Sequence, residues 1–220
     1  MLWNVEGIGH IQSPDIKVCY RNVDVFGLVE TWATQSPELE DFALISEVAA
    51  RKNAGKDRGR KSGGISIYAR KEIGQLLSCV ELETEVNGVK WILGKNLSGD
   101  NSLLICFAYN PPEGSEYHNR AFFEELYLQI LELAGIFGDL PLVILGDMNA
   151  RIGLLEINDL IDDEGGEVKP RESMDTVVNK EGRKLVELCE ETGLMVVNGR
   201  TESDRHGNYT YVAAQGASVI

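Results

Sequence analysis

No stretch of the 220-residue sequence approaches the roughly 20 consecutive apolar residues that cross a bilayer, so a soluble protein without a membrane partner is expected. The opening Met1-Leu2-Trp3-Asn4-Val5-Glu6 lacks the basic and apolar regions of a secretory leader. Cysteine is scarce: Cys19, Cys79, Cys106 and Cys189 lie far apart and form no Cys-x-x-Cys pair. That spacing argues against a zinc site and, without a leader, points to reduced thiols inside a cell. Positive charge is also short, with 21 Lys and Arg against 35 Asp and Glu, a net charge of -14. A protein that clamps phosphates with cationic side chains alone is basic, so tight nonspecific DNA binding by this segment is disfavoured. Repeats, low-complexity tracts and Pro/Ser-rich linkers are missing too. With 43% hydrophobic and 25% charged residues, one sizeable globular domain over residues 1–220 is expected.

What the chain has is a series of short apolar runs of strand type. Val23–Val29 and Ser102–Tyr109 are rich in β-branched or large apolar residues, and Gly64–Ala69 alternates with period two. Val80–Val86 and Val89–Leu93 flank Asn87-Gly88, the strongest short signal for a hairpin. Leu142–Leu145, Leu194–Val197 and Tyr209–Val212 complete the expected strands. Two helices stand out. Phe122, Phe123, Leu126, Ile130, Leu133 and Phe137 recur at helical spacing after Asn119, and a second helix runs from an Asn179 cap to a Gly193 stop. Hairpin-joined strands with a few long helices imply a layered α/β sandwich of two mostly antiparallel or mixed β-sheets flanked by helices.

Chemistry is suggested by where polar residues interrupt these runs. Val29 leads into Glu30, Ala108 into Tyr109-Asn110, and Leu145-Gly146 into Asp147-Met148-Asn149. Each alone reads as the first solvated residue after a strand. Sheet proteins also build sites from loops at one end of their strands, and carboxylates there suit a hard cation with oxygen ligands.

Taken in order, Trp3-Asn4-Val5, Leu28-Val29-Glu30-Thr31-Trp32, Tyr109-Asn110-Pro111-Pro112, Gly146-Asp147-Met148-Asn149-Ala150-Arg151 and Asn208-Tyr209-Thr210-Tyr211 resemble the endonuclease/exonuclease/phosphatase family, in particular the endonuclease domain of LINE-type non-LTR retrotransposons. The resemblance covers nearly the whole chain, and Gly-Asp-Met-Asn after an apolar strand is its most specific piece. It implies a DNase-like fold and magnesium-dependent hydrolysis of DNA phosphodiesters, with manganese as a substitute ion. It further implies that Glu30 is the main metal ligand and that Asn4 lines the site floor and helps hold the metal shell. Tyr109 would donate to the scissile phosphate, Asp147 would orient or deprotonate the attacking water, and Asn149 would fix that region and contact the phosphate. Asn110, Arg151 and Thr210 would contact substrate. DNA, and a covalently linked reverse transcriptase, are the implied partners, with a nuclear site of action for a eukaryotic retroelement.

Family members continue from a segment like Ala217-Ser218-Val219-Ile220 into an Asp and later an Asp-His pair. By this comparison the domain is expected to be incomplete at its C-terminus and trimmed at its N-terminus, and impaired in catalysis. His10, His118 and His206 read as surface or turn histidines, not replacements. Two alternatives stay open: a phosphatase or phosphodiesterase of the same fold acting on a small phosphorylated molecule or lipid head group, and an inactive remnant or binding module. The basic cluster Arg51, Lys52, Lys56, Arg58, Arg60 and Lys61 reads either as a solvated loop or as a DNA-backbone contact. Gly55–Ser62 fails as a phosphate-binding loop because Arg60 stands where Gly-Lys-Ser must run on directly, and the acidic stretch Glu156–Glu167 lacks EF-hand spacing.

Overall fold

The computed structural model describes residues 1–51, 61–98, 101–155, 157, 170–213 and 216–219. Most of the basic cluster and of the acidic stretch therefore lies outside the described residues. Two compact units are present: Met1–Pro111 with Glu132–Asp147, and Pro112–Leu131 with Met148–Ile220. The first unit holds both large sheets. Strands β1 (Leu2–Asn4), β2 (Val25–Val29), β3 (Phe42–Val48) and β4 (Ile65–Arg70) form one sheet in the order β1-β2-β4-β3. Strands β5 (Leu77–Val80), β6 (Val89–Ser98), β7 (Asn101–Tyr109) and β8 (Leu142–Asp147) form the other in chain order. Pairs β1–β2 and β7–β8 are parallel and the remaining pairs antiparallel, so both sheets are mixed, as the sequence pattern implies.

Period-two alternation explains how this unit closes. Successive β-residues face opposite sides. Val29 of β2, Ile65, Ile67 and Ala69 of β4, and Ile105, Phe107 and Tyr109 of β7 belong to one buried cluster between the sheets, with the half-buried Val25 packed against it. The intervening Phe26, Leu28 and Tyr68 face the other way, onto α1 (Pro14–Tyr20), where Ile16, Tyr20 and Phe42 join them. Phe26 sits 4.9 Å from Tyr20, 5.0 Å from Phe42 and 5.3 Å from Tyr68 between ring centroids, an aromatic cluster on the outer face in which Tyr20 and Tyr68 stack on Phe26 and Phe42 meets it edge-on. Tyr68 donates its hydroxyl to the Pro37 carbonyl at 2.8 Å, and burial pushes its pKa up to about 12. Each large apolar side chain buried this way contributes about 1.5–3 kcal/mol.

Other elements are smaller. Helix α2 (Lys71–Gly74) is one turn after β4, and α3 (Phe122–Phe137) follows the expected apolar stripe, burying Phe122, Phe123, Leu126, Ile130 and Leu133. In the second unit α4 (Lys180–Thr192) begins where expected: Asn179 accepts from the Gly182 amide at 2.7 Å, and Gly193 ends it in the left-handed region at φ 72°. Strands β9 (Tyr211–Ala213) and β10 (Gly216–Ser218) form a small antiparallel pair.

Two expectations are corrected. Val80–Val86 is not one arm of a two-residue hairpin: β5 stops at Val80, and the amides of Glu83 and Thr84 donate to the Glu132 carboxylate of α3 at 2.7 and 3.2 Å instead of to a ladder. Asn87-Gly88 is a turn all the same. Gly88 at φ 86° accepts the Tyr109 amide, and a Cβ there would lie 2.1 Å from the Tyr109 carbonyl oxygen. Leu194–Val197 forms no strand, leaving Met195 and Val197 exposed, because strand propensity needs a ladder partner to become a strand. Neither β3 nor α1 stood out in the sequence.

Gly27 of β2 faces the interior opposite Ile67, and a Cβ there would lie 2.2 Å from Cδ1 of Phe107. Gly27→Ala is expected to lower stability by about 1–3 kcal/mol, read as a lower urea midpoint, and Phe107→Leu in the same chain should recover part of the loss.

Candidate active site

Parallel pairing delivers four strand ends to one place in the first unit. Asn4 at the end of β1 is in register with Val29 of β2, one residue before Glu30. Tyr109 at the end of β7 is in register with Asp147 at the end of β8. Side chains then tie the two sheets together. The Asn4 amide donates from Nδ2 to Oδ2 of Asp147 at 2.8 Å, and the Tyr109 hydroxyl donates to Oε1 of Glu30. Asp147 is only 5% exposed, so its carboxylate is set in a largely dry position by a neighbouring amide. The Asn4 amide is itself oriented, because its Oδ1 accepts the Glu6 backbone amide at 3.2 Å.

Glu30 is held as firmly. Its Oε2 accepts from the Trp32 indole at 3.1 Å, so each carboxylate oxygen has a donor. The main chain here is bent: Glu30 and Trp32 have φ of 53° and 51°, in the left-handed region that non-glycine residues seldom occupy. Such residues cost on the order of 1–3 kcal/mol each and persist only where surrounding structure over-determines them. Here the Gly7 amide donates to the Glu30 carbonyl at 2.8 Å, and the Trp32 amide donates to the Gly63 carbonyl at 2.9 Å. Trp32 was visible in the sequence within the Leu28–Trp32 string, but only the fold shows what its indole touches.

Of the expected substrate contacts, Asn110 is wholly buried, with its backbone N–H donating to the Asp147 backbone carbonyl at 3.1 Å. In the second unit, Asn149 has φ 51° and its carbonyl accepts the Asn179 side-chain amide at 2.8 Å. Asn179 thus both caps α4 and fixes the Asn149–Arg151 segment, since its Oδ1 also accepts the Arg151 amide at 3.0 Å. The Arg151 guanidinium is engaged at two points with Asp175, at 2.8 and 2.7 Å. Asp175, missed in the sequence because it follows no strand and no periodic run, is buried and also accepts the Val177 and Val219 amides at 3.0 and 3.1 Å. Thr210 is exposed, and its amide donates to the Ser218 carbonyl at 3.0 Å. His10 and His206 are exposed as expected. His118 corrects its expectation: it lies in the loop before α3, but its side chain is 4% exposed and its Nε2 is 3.6 Å from Glu181 Oε1.

Among the described residues no three His, Cys, Asp or Glu side chains converge as a ready-made cation cage. A magnesium-type ion takes only one or two protein carboxylates and keeps several waters. Glu30 and Asp147, with all-oxygen donors, fit that chemistry.

The endonuclease/exonuclease/phosphatase family model matches residues 1–193. The chain belongs to that family. Enzymes of the endonuclease/exonuclease/phosphatase family are hydrolases and generally depend on a divalent metal. Among solved structures the chain is similar to the AP endonuclease LMAP from Leishmania major, at 13% identity and a TM-score of 0.57 over 87% of this chain and 65% of that one. It is also similar to the catalytic domain of Xenopus laevis APE2, at 17% identity and a TM-score of 0.51 over 84% of this chain and 65% of that one. At these identities the likeness shows the fold, two mixed sheets flanked by helices. The chain spans about 65% of the length of these two solved chains. No curated protein matches the chain in sequence.

The Arg151 guanidinium holds the Asp175 carboxyl below the usual carboxylate range. A depressed folded value means that this stabilisation is present above the unfolded value of about 3.9 and is lost as pH falls through the lower folded value. Asp175→Asn is expected to cost about 2 kcal/mol at pH 7, and its urea midpoint should vary less below about pH 4 than that of the unsubstituted chain.

Proposed function

We propose that the chain is the catalytic part of a magnesium-dependent endonuclease that nicks DNA, of the type carried by LINE-type retrotransposons. The observation that carries the reading is the meeting of Asn4, Glu30, Tyr109 and Asp147 at the ends of β1, β2, β7 and β8, with hydrogen bonds joining them in pairs. Phosphodiester attack is slow because the anion repels the nucleophile. Glu30, with Asn4 beside it, would hold a magnesium or manganese ion whose charge neutralises the phosphate. Asp147, its carboxylate steered by the Asn4 amide, orients the attacking water and takes its proton. Asn149 donates to the charge that grows on the phosphoryl oxygens, while Tyr109, whose one hydroxyl proton goes to Glu30, steadies that carboxylate at the site. Thr210, exposed on the second unit, contacts the substrate backbone. Arg151, engaged with Asp175, acts by shaping the Asn149 segment, and Asn110 by supporting Asp147 from within the fold. A covalently linked reverse transcriptase and a nuclear site of action belong to this reading. The LINE-type motifs quoted from the sequence support both.

One observation favours a second substrate class. A net charge of -14 disfavours binding a long polyanion through this segment alone, and suits a small phosphorylated molecule or lipid head group better. Both readings use the same residues, so the substrate decides between them. The full-length protein is expected to nick supercoiled plasmid with magnesium and to lose that activity with a chelator. Asp147→Ala should lower the rate by about 100-fold or more. Hydrolysis of inositol phosphates or model phosphodiesters with the plasmid left intact would establish the second reading. Intact plasmid together with no effect of Asp147→Ala on any substrate would overturn both and leave a binding module.

A further inference from the structure

The loop after β2 is built around an indole. Trp32 is half-buried at φ 51°, its amide donates to the Gly63 carbonyl, and its Nε1 donates to Glu30 Oε2 at 3.1 Å. The segment entering from β1 passes against the ring. Gly7 has φ 114°, a conformation open to glycine, and its amide donates to the Glu30 carbonyl while the Ile8 amide donates to the Thr31 carbonyl at 2.9 Å. A Cβ at position 7 would lie 2.8 Å from Cε3 and 3.1 Å from Cζ3 of Trp32. Glycine at 7 therefore leaves the slot that the six-membered ring of the indole occupies, and the indole seated there has its ring N–H on the carboxylate. Tyr109 holds the opposite oxygen, so rotation of the Glu30 carboxylate is blocked from both sides.

We propose that Trp32 is a positioning residue for Glu30, fixing one carboxylate oxygen through its indole N–H, and that Gly7 is required because only glycine leaves room for that ring. The inference rests on the reading of Glu30 as the carboxylate on the metal side of the site. Its own content is the donor, the slot and their dependence on each other. Partners that orient a metal-ligating carboxylate typically matter by about 10- to 100-fold in metal affinity or activity.

The test reads the hydrogen bond directly. The chain has three tryptophans, Trp3, Trp32 and Trp91, so its nitrogen–proton correlation spectrum contains three indole signals. The one that disappears in Trp32→Phe belongs to Trp32. Glu30→Gln weakens the acceptor and should shift that signal alone, leaving Trp3 and Trp91 in place. Gly7→Ala should shift it as well, with the circular dichroism spectrum unchanged. In hydrolysis, Trp32→Phe, which keeps an aromatic ring in the slot, should lower kcat by about 10- to 100-fold with the substrate KM little changed. A Trp32 signal indifferent to Glu30→Gln, or a Trp32→Phe enzyme with full kcat, overturns the proposal. Failure of the magnesium reading looks different: the signal would answer to Glu30→Gln, yet not to added magnesium, in a protein that hydrolyses no phosphodiester.

Discussion

The site depends on two parallel strand pairings, β1 with β2 and β7 with β8. Parallel neighbours run in the same direction, so their C-terminal ends lie together, and whatever follows them is presented side by side. Register makes this specific: Asn4 lies opposite Val29, and Tyr109 opposite Asp147. A slip of one residue would turn every side chain of β7 to the other face and carry Tyr109 away from Glu30. What prevents the slip is apolar packing. Ile105 and Phe107 share the interior face with Tyr109, and Val29 shares it with Ile65 and Ile67. The close passage of Gly27 past Phe107 shows how little freedom the two sheets have at that level.

On this frame the polar residues are stiff before any substrate arrives. Asp147 is nearly dry and pinned by Asn4, which is oriented in turn by the Glu6 amide. Glu30 is pinned by Tyr109 and Trp32, on a backbone bent into the left-handed region. In a low-dielectric setting such hydrogen bonds are stronger than in water, and fixed donors need no reorganisation as charge develops. Strain in the loop after β2 is offset by the packing beneath it, as is common where a fold holds functional groups in place.

The second unit has an internal logic of its own. Asn179 caps α4 and holds the Asn149–Arg151 segment with the same side chain, while Asp175 gathers Arg151 and the Val177 and Val219 amides around one buried carboxylate. Residues two and four positions after Asp147 in the chain are thus set by contacts made nearly 30 residues downstream. Gly182 is part of that arrangement, since a Cβ there would lie 1.9 Å from the Arg151 carbonyl oxygen.

Local chemistry wrote much of this into the sequence. Apolar runs at 25–29, 65–70 and 142–147 become strands, Asn179 and Gly193 bound a helix, and a polar group at the end of each of three apolar runs marks where chemistry can sit, because period-two patterning and capping act over a few residues. The ordered motifs also identified the family, since the spacing of Asn4, Glu30, Tyr109 and Asp147 survives in one dimension. Pairing and burial of polar groups did not. Leu194–Val197 has the composition of a strand without becoming one, Val80–Val86 yields its amides to a helix carboxylate, His118 and Asp175 find their partners across the chain, and the Trp32 ring lies against the distant Gly7. Those outcomes belong to the tertiary structure, because a ladder partner, a buried counter-charge or a slot beside a glycine exists only once distant segments have met.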